Sequence, residues 1–380
     1  MLRATSRGQS VASDPRQAVT EFHAAVARPD ASLVMFFCSP EYELDVVADE
    51  MRRQFQEVDV VGCTTAGEIG PSGYLEHSLS GVSFSKQDFS VAPAGLDDLS
   101  HFDTIRAHEF TQTLMQQLDQ RQPYFGEENT LALLLVDGTS IREEPVARSF
   151  QQLLGRIPLV GGSAGDSQRF ERAYVYFDGA FHLDAAILIL ISTHLPFQTF
   201  KHQHFVPTVR RAVVTAADAD RRVVTEIDGL PAVEGYARLT GCSKENLDPS
   251  SFAAQPVVVM IGGTDYVRSI EKANPDGSLT FFSAIDEGVV LRAAVGVDLL
   301  PNLESLMTEI HDRVGDPQLV IAFDCILRKL EISERHLTES VSSLLRDNCV
   351  VGFNTYGEQY GGVHVNQTLT GVAIGMPDHE

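Results

Sequence analysis

The chain has 380 residues, 43% of them apolar, and its 52 acidic and 29 basic residues give a formal net charge of -23. This length exceeds a single hydrophobic core and predicts at least two domains, while the acidic balance disfavours nucleic acid or anionic membrane lipid as a partner. No apolar run approaches the roughly 18 residues of a membrane span, the N-terminus is polar, and the five cysteines are odd in number. We therefore expect a cytoplasmic protein without a disulfide framework.

Three short apolar runs predict buried strands. They occupy residues 33–37, 131–135 and 319–323, and each is followed by a segment with helical periodicity and then by a glycine-containing turn. A continuous apolar run is typical of a strand that is buried on both faces, and a helix between two strands is the crossover that a parallel pair requires. The sequence thus predicts three strand–helix–strand units and an α/β fold, with two domains of mixed, largely parallel β-sheet flanked by helices.

Capping signals predict where the helices of these units begin and end. In the first unit, Ser39 and Pro40 predict an N-cap and the first helical residue. In the second, Ser140 and Glu143 predict a capping box, and Gly155 predicts the helix end. The apolar stripes that should face inward are Leu44, Val47, Met51 and Phe55 in the first helix, Val146, Phe150 and Leu153 in the second, and Leu337, Val341, Leu344 and Leu345 in the third.

One segment of the chain recurs near the C-terminus without a gap. VVGCTTAGE at 60–68 returns as VVGFNTYGE at 350–358, and LSGV at 79–82 returns in the same register as LTGV at 369–372. A degenerate copy, LVGGSAGD, occupies 159–166. We call these the first, third and second copies in chain order, and we expect that the chain arose by duplication of one unit.

Composition shifts and turn signals predict the domain limits. We expect an N-terminal extension over 1–29, a first domain over 30–200, linker strands over 201–228, and a second domain over 229–376. The linker should contain a hairpin, because 212–215 and 223–227 are β-rich and flank a polar turn. Within the second domain, Asn-Pro-Asp-Gly at 274–277 predicts a tight turn between two strands.

The repeated glycine-rich turns are candidates for a small-ligand site. Glycine beside a buried strand lets the backbone turn with positive φ or approach another group closely. Carboxylates at two related positions suit a cationic or amine-bearing ligand, whereas a structural role in organising a duplicated turn is the alternative. The residues concerned are Thr65, Gly67, Glu68, Thr355, Gly357 and Glu358.

Several motifs in chain order resemble the FIST N and FIST C sensory domains. They are the turn at 61–69, the GGSAGD element at 161–166, the linker EIDGLPA at 226–232 and the Tyr-Gly-Glu of 356–358. The resemblance covers about residues 30–370. Within the family, FFCSP at 36–40 and the long segment 202–207 resemble the bacterial nitric-oxide-sensing protein (NosP) group.

That resemblance implies a function and a cofactor. It implies a haem b (iron) sensor of nitric oxide in the cytosol that regulates a partner sensor histidine kinase, or a diguanylate cyclase or cyclic-di-GMP phosphodiesterase, as in biofilm signalling. A haem-free FIST module that binds a small metabolite such as an amino acid is the alternative. Assembly into a homo-oligomer stays open.

The residues that could hold such a haem cluster at 200–207. If this stretch is extended, Phe200, His202, His204 and Val206 point to one side and offer two imidazoles beside apolar groups. His204 is our first choice as the axial iron ligand and His202 the second, although two of twelve histidines at this spacing are unremarkable. The other candidate wall residues are Phe205 and Pro207, and Arg328 could grip a carboxylate or a haem propionate, with a structural salt bridge as its alternative use.

Catalysis has little motif support. Cys63 could act as a nucleophile, but the equivalent positions in the other copies hold Gly162 and Phe353, which a duplicated catalytic apparatus would not predict. Hydrolase, zinc-protease and nucleotide-binding signatures are missing from the sequence. We therefore expect a protein that is not an enzyme.

Overall fold

A computed structural model describes residues 3–121, 126–244, 247 and 249–377. The chain divides into two compact units. Unit 1 comprises Met1–Lys201, Glu304–Val363 and Leu369–Glu380, and unit 2 comprises His202–Leu303 and His364–Thr368. Both units are discontinuous along the chain, because the third apolar run belongs to the same unit as the first two.

The elements follow one another in chain order. The first part of the chain contains β1 (Thr5–Ser10), α1 (Pro15–Val26), β2 (Ala31–Cys38), α2 (Leu44–Gln54), β3 (Asp59–Thr64), β4 (Glu68–Gly70), β5 (Gly73–Leu75), β6 (Leu79–Ser85), β7 (Phe89–Leu96), α3 (Thr104–Arg121), β8 (Thr130–Asp137), α4 (Glu143–Leu154), β9 (Leu159–Ala164), β10 (Val175–Phe177), β11 (Ala180–His182), β12 (Ala186–Thr193) and β13 (Phe197–His202). The middle part contains β14 (Phe205–Asp218), β15 (Val223–Ile227), β16 (Leu230–Pro231), α5 (Ala232–Thr240), α6 (Pro249–Ala254), β17 (Val257–Ile261), β18 (Thr264–Arg268), β19 (Ile270–Ala273), β20 (Leu279–Phe281) and β21 (Val290–Gly296). The last part contains α7 (Leu299–Val314), β22 (Pro317–Cys325), α8 (Ile326–Glu334), α9 (Thr338–Asp347), β23 (Val350–Thr355), β24 (Glu358–Tyr360), β25 (Val363–Val365) and β26 (Leu369–Gly375).

The strands form four sheets, of mostly antiparallel pairing. Three sheets have the orders β1-β6-β2-β3-β10-β11, β25-β24-β9-β8-β12-β7 and β13-β26-β22-β23-β4-β5, and the fourth is built from β14 to β21. Among the pairings described, β2–β3, β8–β9 and β22–β23 are parallel, and helices lie between the two strands of each pair in the chain. The prediction of largely parallel sheets was wrong, because β6, β12 and β26 follow without an intervening crossover helix and return antiparallel beside the first strand of each pair.

The three apolar runs are buried on both faces, as the sequence predicts. One face of each run joins a single apolar cluster, to which the runs contribute Leu33, Met35, Phe37, Leu131, Leu133, Leu135, Leu319, Ile321 and Phe323. The opposite face of β2 packs with residues of α1 and α2, and that of β8 packs with residues of α3 and α4. A strand that is packed on both faces needs apolar side chains on both, which explains a continuous apolar run.

Two of the predicted helix starts were wrong. Helix α2 begins at Leu44 with Glu43 as N-cap, and Ser39 instead accepts a hydrogen bond from the Glu41 N–H in the preceding turn (3.3 Å). Helix α4 has Arg142 as N-cap, whose N–H donates to the Ser140 hydroxyl (3.2 Å), so no capping box forms. In both places the serine stabilises a local turn, which competes with helix capping. The predicted end of α4 at Gly155 is confirmed, with φ of 62°.

Unit 2 contains the predicted hairpin and tight turn. Strands β14 and β15 pair antiparallel, with Val214 opposite Ile227. The Gly277 N–H donates to the Asn274 carbonyl (3.0 Å), and Gly277 has φ of 84° between β19 and β20. The apolar residues Phe205, Val258, Val267 and Ala294 pack together in this unit.

Candidate functional site

Three turns of unit 1 meet where β3, β9 and β23 end. We call residues 64–68, 163–167 and 354–358 the turn junction. The N–H groups of Ala66, Gly165 and Tyr356 donate to the carbonyls of Asn354 (2.9 Å), Thr64 (3.0 Å) and Ser163 (3.3 Å), respectively. Each turn thus bonds to the next in a closed cycle, so three backbones cross at the carboxyl ends of β3, β9 and β23.

The strands that leave the turns extend this cycle. Strand β4 pairs with β23, β24 with β9, and β10 with β3, which places Glu68, Glu358 and Val175 opposite Phe353, Gly162 and Cys63. The register therefore makes Val175 the counterpart of the two glutamates. The second copy reaches that position only after the additional loop 166–173, which is why its sequence match is degenerate.

Each glutamate is buried and bound by a threonine of its own turn. The Thr65 hydroxyl donates to Glu68 and the Thr355 hydroxyl donates to Glu358. Ser78 adds two hydrogen bonds to Glu68, from its hydroxyl (2.6 Å) and its N–H (3.2 Å). Burial raises the pKa of Glu68 to about 7, against the opposing effect of these bonds and of Lys329. The two Thr–Glu hydrogen bonds thus stabilise the first and third turns.

Gly67 permits a close approach between two copies. Its φ is 135°, and a Cβ there would lie 2.2 Å from the Lys329 Nζ and 2.9 Å from the Asn354 Oδ1. Lys329 donates to the Ala66 carbonyl (2.9 Å) and pairs with Glu76 (2.6 Å). A cationic group and an amide therefore lie directly against the backbone of the first turn. The Gly357 carbonyl accepts a hydrogen bond from the Ser163 N–H (2.8 Å).

The amide of Asn354 is the exceptional group of the junction. Its side chain is wholly buried, and neither its Nδ2 nor its Oδ1 has a hydrogen-bond partner. Buried polar atoms without partners are rare and often mark a missing water, ion or ligand. The sequence reasoning missed Asn354, although the other copies hold Thr64 and Ser163 at this position, and an amide among hydroxyl residues was a signal to examine.

The second copy uses its acidic residue for a different purpose. Asp166 accepts from the N–H groups of Phe170 (2.7 Å), Glu171 (2.9 Å) and Arg172 (2.9 Å), and from the hydroxyl of Tyr356. The ring of Phe170 stacks on Tyr356 with centroids 4.2 Å apart. Asp166 therefore holds the additional loop against the third turn.

Arg328 lies in unit 1 and forms a buried ion pair. Its Nε donates to Asp324 Oδ1 (2.7 Å), both side chains are 1% exposed, and the Tyr74 hydroxyl donates to the other oxygen of Asp324. Although burial acts to lower it, the pKa of Arg328 is raised by Asp324 and Tyr74. The sequence analysis gave two possible uses of Arg328, binding a carboxylate or haem propionate and forming a structural salt bridge. The ion pair with Asp324 is such a salt bridge.

The histidine cluster lies at the start of unit 2. His204 is wholly buried, and its ring contacts Phe205 at a centroid distance of 4.2 Å. The strand conformation is interrupted at residues 203–204, between β13 and β14. The segment therefore does not present one continuous face, as the sequence predicted: Phe200 is buried, whereas Val206 is 49% exposed. His202 and Pro207 are partly buried.

His204 leaves no room for a porphyrin beside its ring in this conformation. A side chain with 0% exposure adjoins no void large enough for a water molecule, whereas an axial imidazole must face a slot for the porphyrin. Within the described part of the chain, no group of three or more His, Cys, Asp or Glu side chains is arranged to hold a metal ion.

Cys63 lacks the properties of an activated nucleophile. Its side chain is wholly buried in the apolar cluster of unit 1, and burial raises the pKa of its thiol well above the ordinary value. A catalytic thiolate needs a lowered pKa and access to its substrate. The low-pKa thiolate that a Cys63 enzyme requires is therefore not formed here.

Comparisons with known proteins agree with the motifs. The chain is 22% identical over 393 residues to an uncharacterized protein of Methanocaldococcus jannaschii. The aligned region covers 90% of this chain and 73% of the relative. None of the helices in the described residues is both long and apolar enough to cross a membrane. The FIST N domain matches residues 32–230 and the FIST C domain matches residues 232–361, so the turns of the first and second copies lie in the former and most of the third copy in the latter. The chain belongs to the FIST family of sensory domains.

Proposed function

We propose that this protein is a sensory signal-transduction module whose turn junction binds a small amine-bearing metabolite such as an amino acid. The observation that carries the proposal is the wholly buried amide of Asn354, which has no hydrogen-bond partner on either atom. A ligand that bonded to both atoms would remove a penalty of about 1–3 kcal/mol per unpaired group. Part of the binding free energy would thus come from giving hydrogen-bond partners to atoms that are unpaired in the unliganded protein.

The groups around Asn354 suit a zwitterion. Its Oδ1 can accept from an ammonium group, and its Nδ2 can donate to a carboxylate. Glu68 lies in the turn that bonds to the Asn354 backbone, and a cation nearby would favour its ionised form and lower its pKa from about 7. Lys329, beside Asn354 and Gly67, offers a positive charge to the carboxylate.

Binding at this point can produce a signal because the junction is closed. All its polar side chains except that of Ser167 are buried, so a ligand that reaches Asn354 must enter while the three turns are separated and must stabilise a different arrangement from the unliganded one. Only such a difference in affinity between two states can shift their populations. The sensory output would be the altered surface of unit 1.

The test is a thermal-unfolding screen of the full chain with amino acids and simple amines. A ligand at 100 times its dissociation constant should stabilise the protein by about 2.7 kcal/mol. Asn354→Thr installs the residue of the first copy and should fold, but it should lose this stabilisation. Asn274→Thr, in the turn of unit 2, is the matched control. Stabilisation that survives in Asn354→Thr would contradict the proposal.

Haem-based nitric oxide sensing is a separate proposal, supported by the resemblance to that group and by the ring contact between His204 and Phe205. With His204 as the iron ligand, it requires that residue to leave its present position, because no porphyrin-sized space adjoins His204. Titration with hemin should give a saturable Soret band that His204→Ala or His202→Ala abolishes, while His101→Ala, which changes an exposed histidine, should not. A chain that gives no saturable band would contradict this proposal.

The signalling partners and the cellular location of the protein are also proposals. We expect the module to act in the cytoplasm on a sensor histidine kinase, a diguanylate cyclase or a cyclic-di-GMP phosphodiesterase. Kinase autophosphorylation or cyclic-di-GMP turnover, measured with and without this chain and its ligand, tests that expectation. An unchanged rate in both assays would contradict it.

A further inference from the structure

The loop between β5 and β6 contacts the two charged residues beside the turn junction. It consists of Glu76, His77 and Ser78, and we call these three residues the strap. The side chains of Glu76 and His77 are 65% and 64% exposed, whereas Ser78 is wholly buried. The strap therefore connects the surface of unit 1 with the buried groups of the junction.

The strap makes complementary contacts with Glu68 and Lys329. The hydroxyl and the N–H of Ser78 donate to one oxygen of Glu68, at 2.6 and 3.2 Å. The carboxylate of Glu76 pairs with the Nζ of Lys329 at 2.6 Å. The strap thus offers donors to a carboxylate and a carboxylate to an ammonium group, and a zwitterionic ligand would make the same two kinds of contact.

The residues that the strap holds border the amide of Asn354. A Cβ at Gly67 would lie 2.2 Å from the Lys329 Nζ and 2.9 Å from the Asn354 Oδ1, so these two atoms lie close together against the first turn. Glu68 follows Gly67 directly in the chain. Release of Glu68 and Lys329 by the strap would therefore free two charged groups beside an amide that has no hydrogen-bond partner.

We propose that the strap is an autoinhibitory element, which occupies Glu68 and Lys329 until an amino-acid zwitterion takes its place. The ligand's ammonium group replaces Ser78 at Glu68, and its carboxylate replaces Glu76 at Lys329. This inference rests on the amine site proposed for the junction, and it restricts the ligand to molecules that carry both charges. Release of the strap changes the surface of unit 1 and so supplies the output of the sensor.

The contacts of the strap are weak enough for a small ligand to reverse. An ion pair with an exposed partner, such as Glu76 with Lys329, stabilises a protein little, because water and salt screen it. His77 has φ of 50°, in the left-handed region that residues other than glycine seldom adopt, so release of the strap also relieves backbone strain.

The test is calorimetric titration of the full chain with L-alanine, ethylamine and propionate. Ethylamine and propionate each carry only one of the two charged groups of alanine, so alanine should bind most tightly. Glu76→Gln should bind alanine and propionate about two- to fivefold more tightly than the parent does, and ethylamine with unchanged affinity. Glu234→Gln, which removes an exposed Glu–Lys pair of unit 2, is the matched control and should change none of the three affinities.

Hydrogen exchange of the Ser78 N–H tests the strap without a ligand. This exchange should be faster in Glu76→Gln than in the parent, and alanine should accelerate it in the parent while stabilising the protein as a whole. Unchanged exchange in Glu76→Gln, unchanged affinity of that variant for alanine, or protection of the Ser78 N–H by alanine would overturn the strap and leave the amine site standing. Absence of heat from all three compounds with both proteins would overturn the amine site and the strap together.

Discussion

The second copy of the turn and the other two share a backbone but differ in chemistry. All three turns bond to one another in a closed cycle, yet the positions of Glu68 and Glu358 correspond to Val175, and those of Thr65 and Thr355 correspond to Ala164. The second copy instead uses Asp166 to hold an additional loop. The backbone of the turn thus forms without the carboxylate in the second copy, and for this reason we propose the carboxylates of the first and third copies as candidates for ligand binding.

The strongest way to break this comparison is to place the missing carboxylate in the second copy. Val175→Glu would bury an acid beside Cys63 without a threonine partner, since Ala164 has no hydroxyl. An acid whose pKa rises by 3–5 units takes up a proton at neutral pH, which costs about 3–4 kcal/mol there, and its buried polar group without a partner adds about 1–3 kcal/mol. Denaturant unfolding measures this loss. Adding Ala164→Thr should recover part of it, and a tolerated single variant would contradict our assignment of corresponding positions.

A second contrast concerns the strand ends. The third copy has the buried pair Asp324–Arg328, whereas Cys38 and Val136 occupy the position of Asp324 in the other two. Arg328→Leu should cost about 3–5 kcal/mol, because it leaves a buried carboxylate unpaired.

The double variant Asp324→Val with Arg328→Leu should restore most of that stability, because it removes both buried charges and installs at 324 the valine of the second copy. Chemical unfolding of the single and double variants tests this, with Lys244→Leu as an exposed ion-pair control that should change little. A double variant as unstable as the single one would show that the pair has a further role.

Stability should depend on pH through Glu68. Its pKa is about 7 in the folded protein against an ordinary 4.5, so the folded state binds the proton more tightly than the unfolded state does. This contribution is complete below pH 4.5 and is lost as the pH rises through 7. The free energy of unfolding of the parent, minus that of Glu68→Gln, should fall by roughly 3 kcal/mol across this window. A flat difference would mean that Glu68 titrates normally.

The smallest expected effect lies in the additional loop. Asp166→Ala removes the acceptor of three backbone N–H groups, and we expect a loss of about 2 kcal/mol together with faster proteolysis of residues 166–173. Asp178→Ala, in the turn between β10 and β11, serves as the comparison. If Asp166→Ala resists protease like the parent, the other contacts of the loop suffice to hold it, among them the Phe170–Tyr356 stack and the bond from the Ser167 N–H to the Thr65 carbonyl.

The sequence could predict those features that depend on neighbouring residues. The buried strands, the hairpin at 212–227, the turn at 274–277 and the glycine-rich turns follow from local apolar runs and turn residues. Strand direction depended on which distant strand pairs with which, as for β4 with β23, and no local pattern reports that. Asn354 was missed for the same reason, since its lack of partners is visible only once three distant segments meet.

The most direct test of the central claim is the side-chain amide signal of Asn354 in a chain with isotope-labelled asparagine, assigned by its absence in Asn354→Thr. Addition of a stabilising amine-bearing metabolite should shift this signal and slow the exchange of its protons, while the signal of Asn274 in unit 2 stays constant. A ligand that stabilises the protein but leaves the Asn354 signal unchanged would contradict binding at the turn junction.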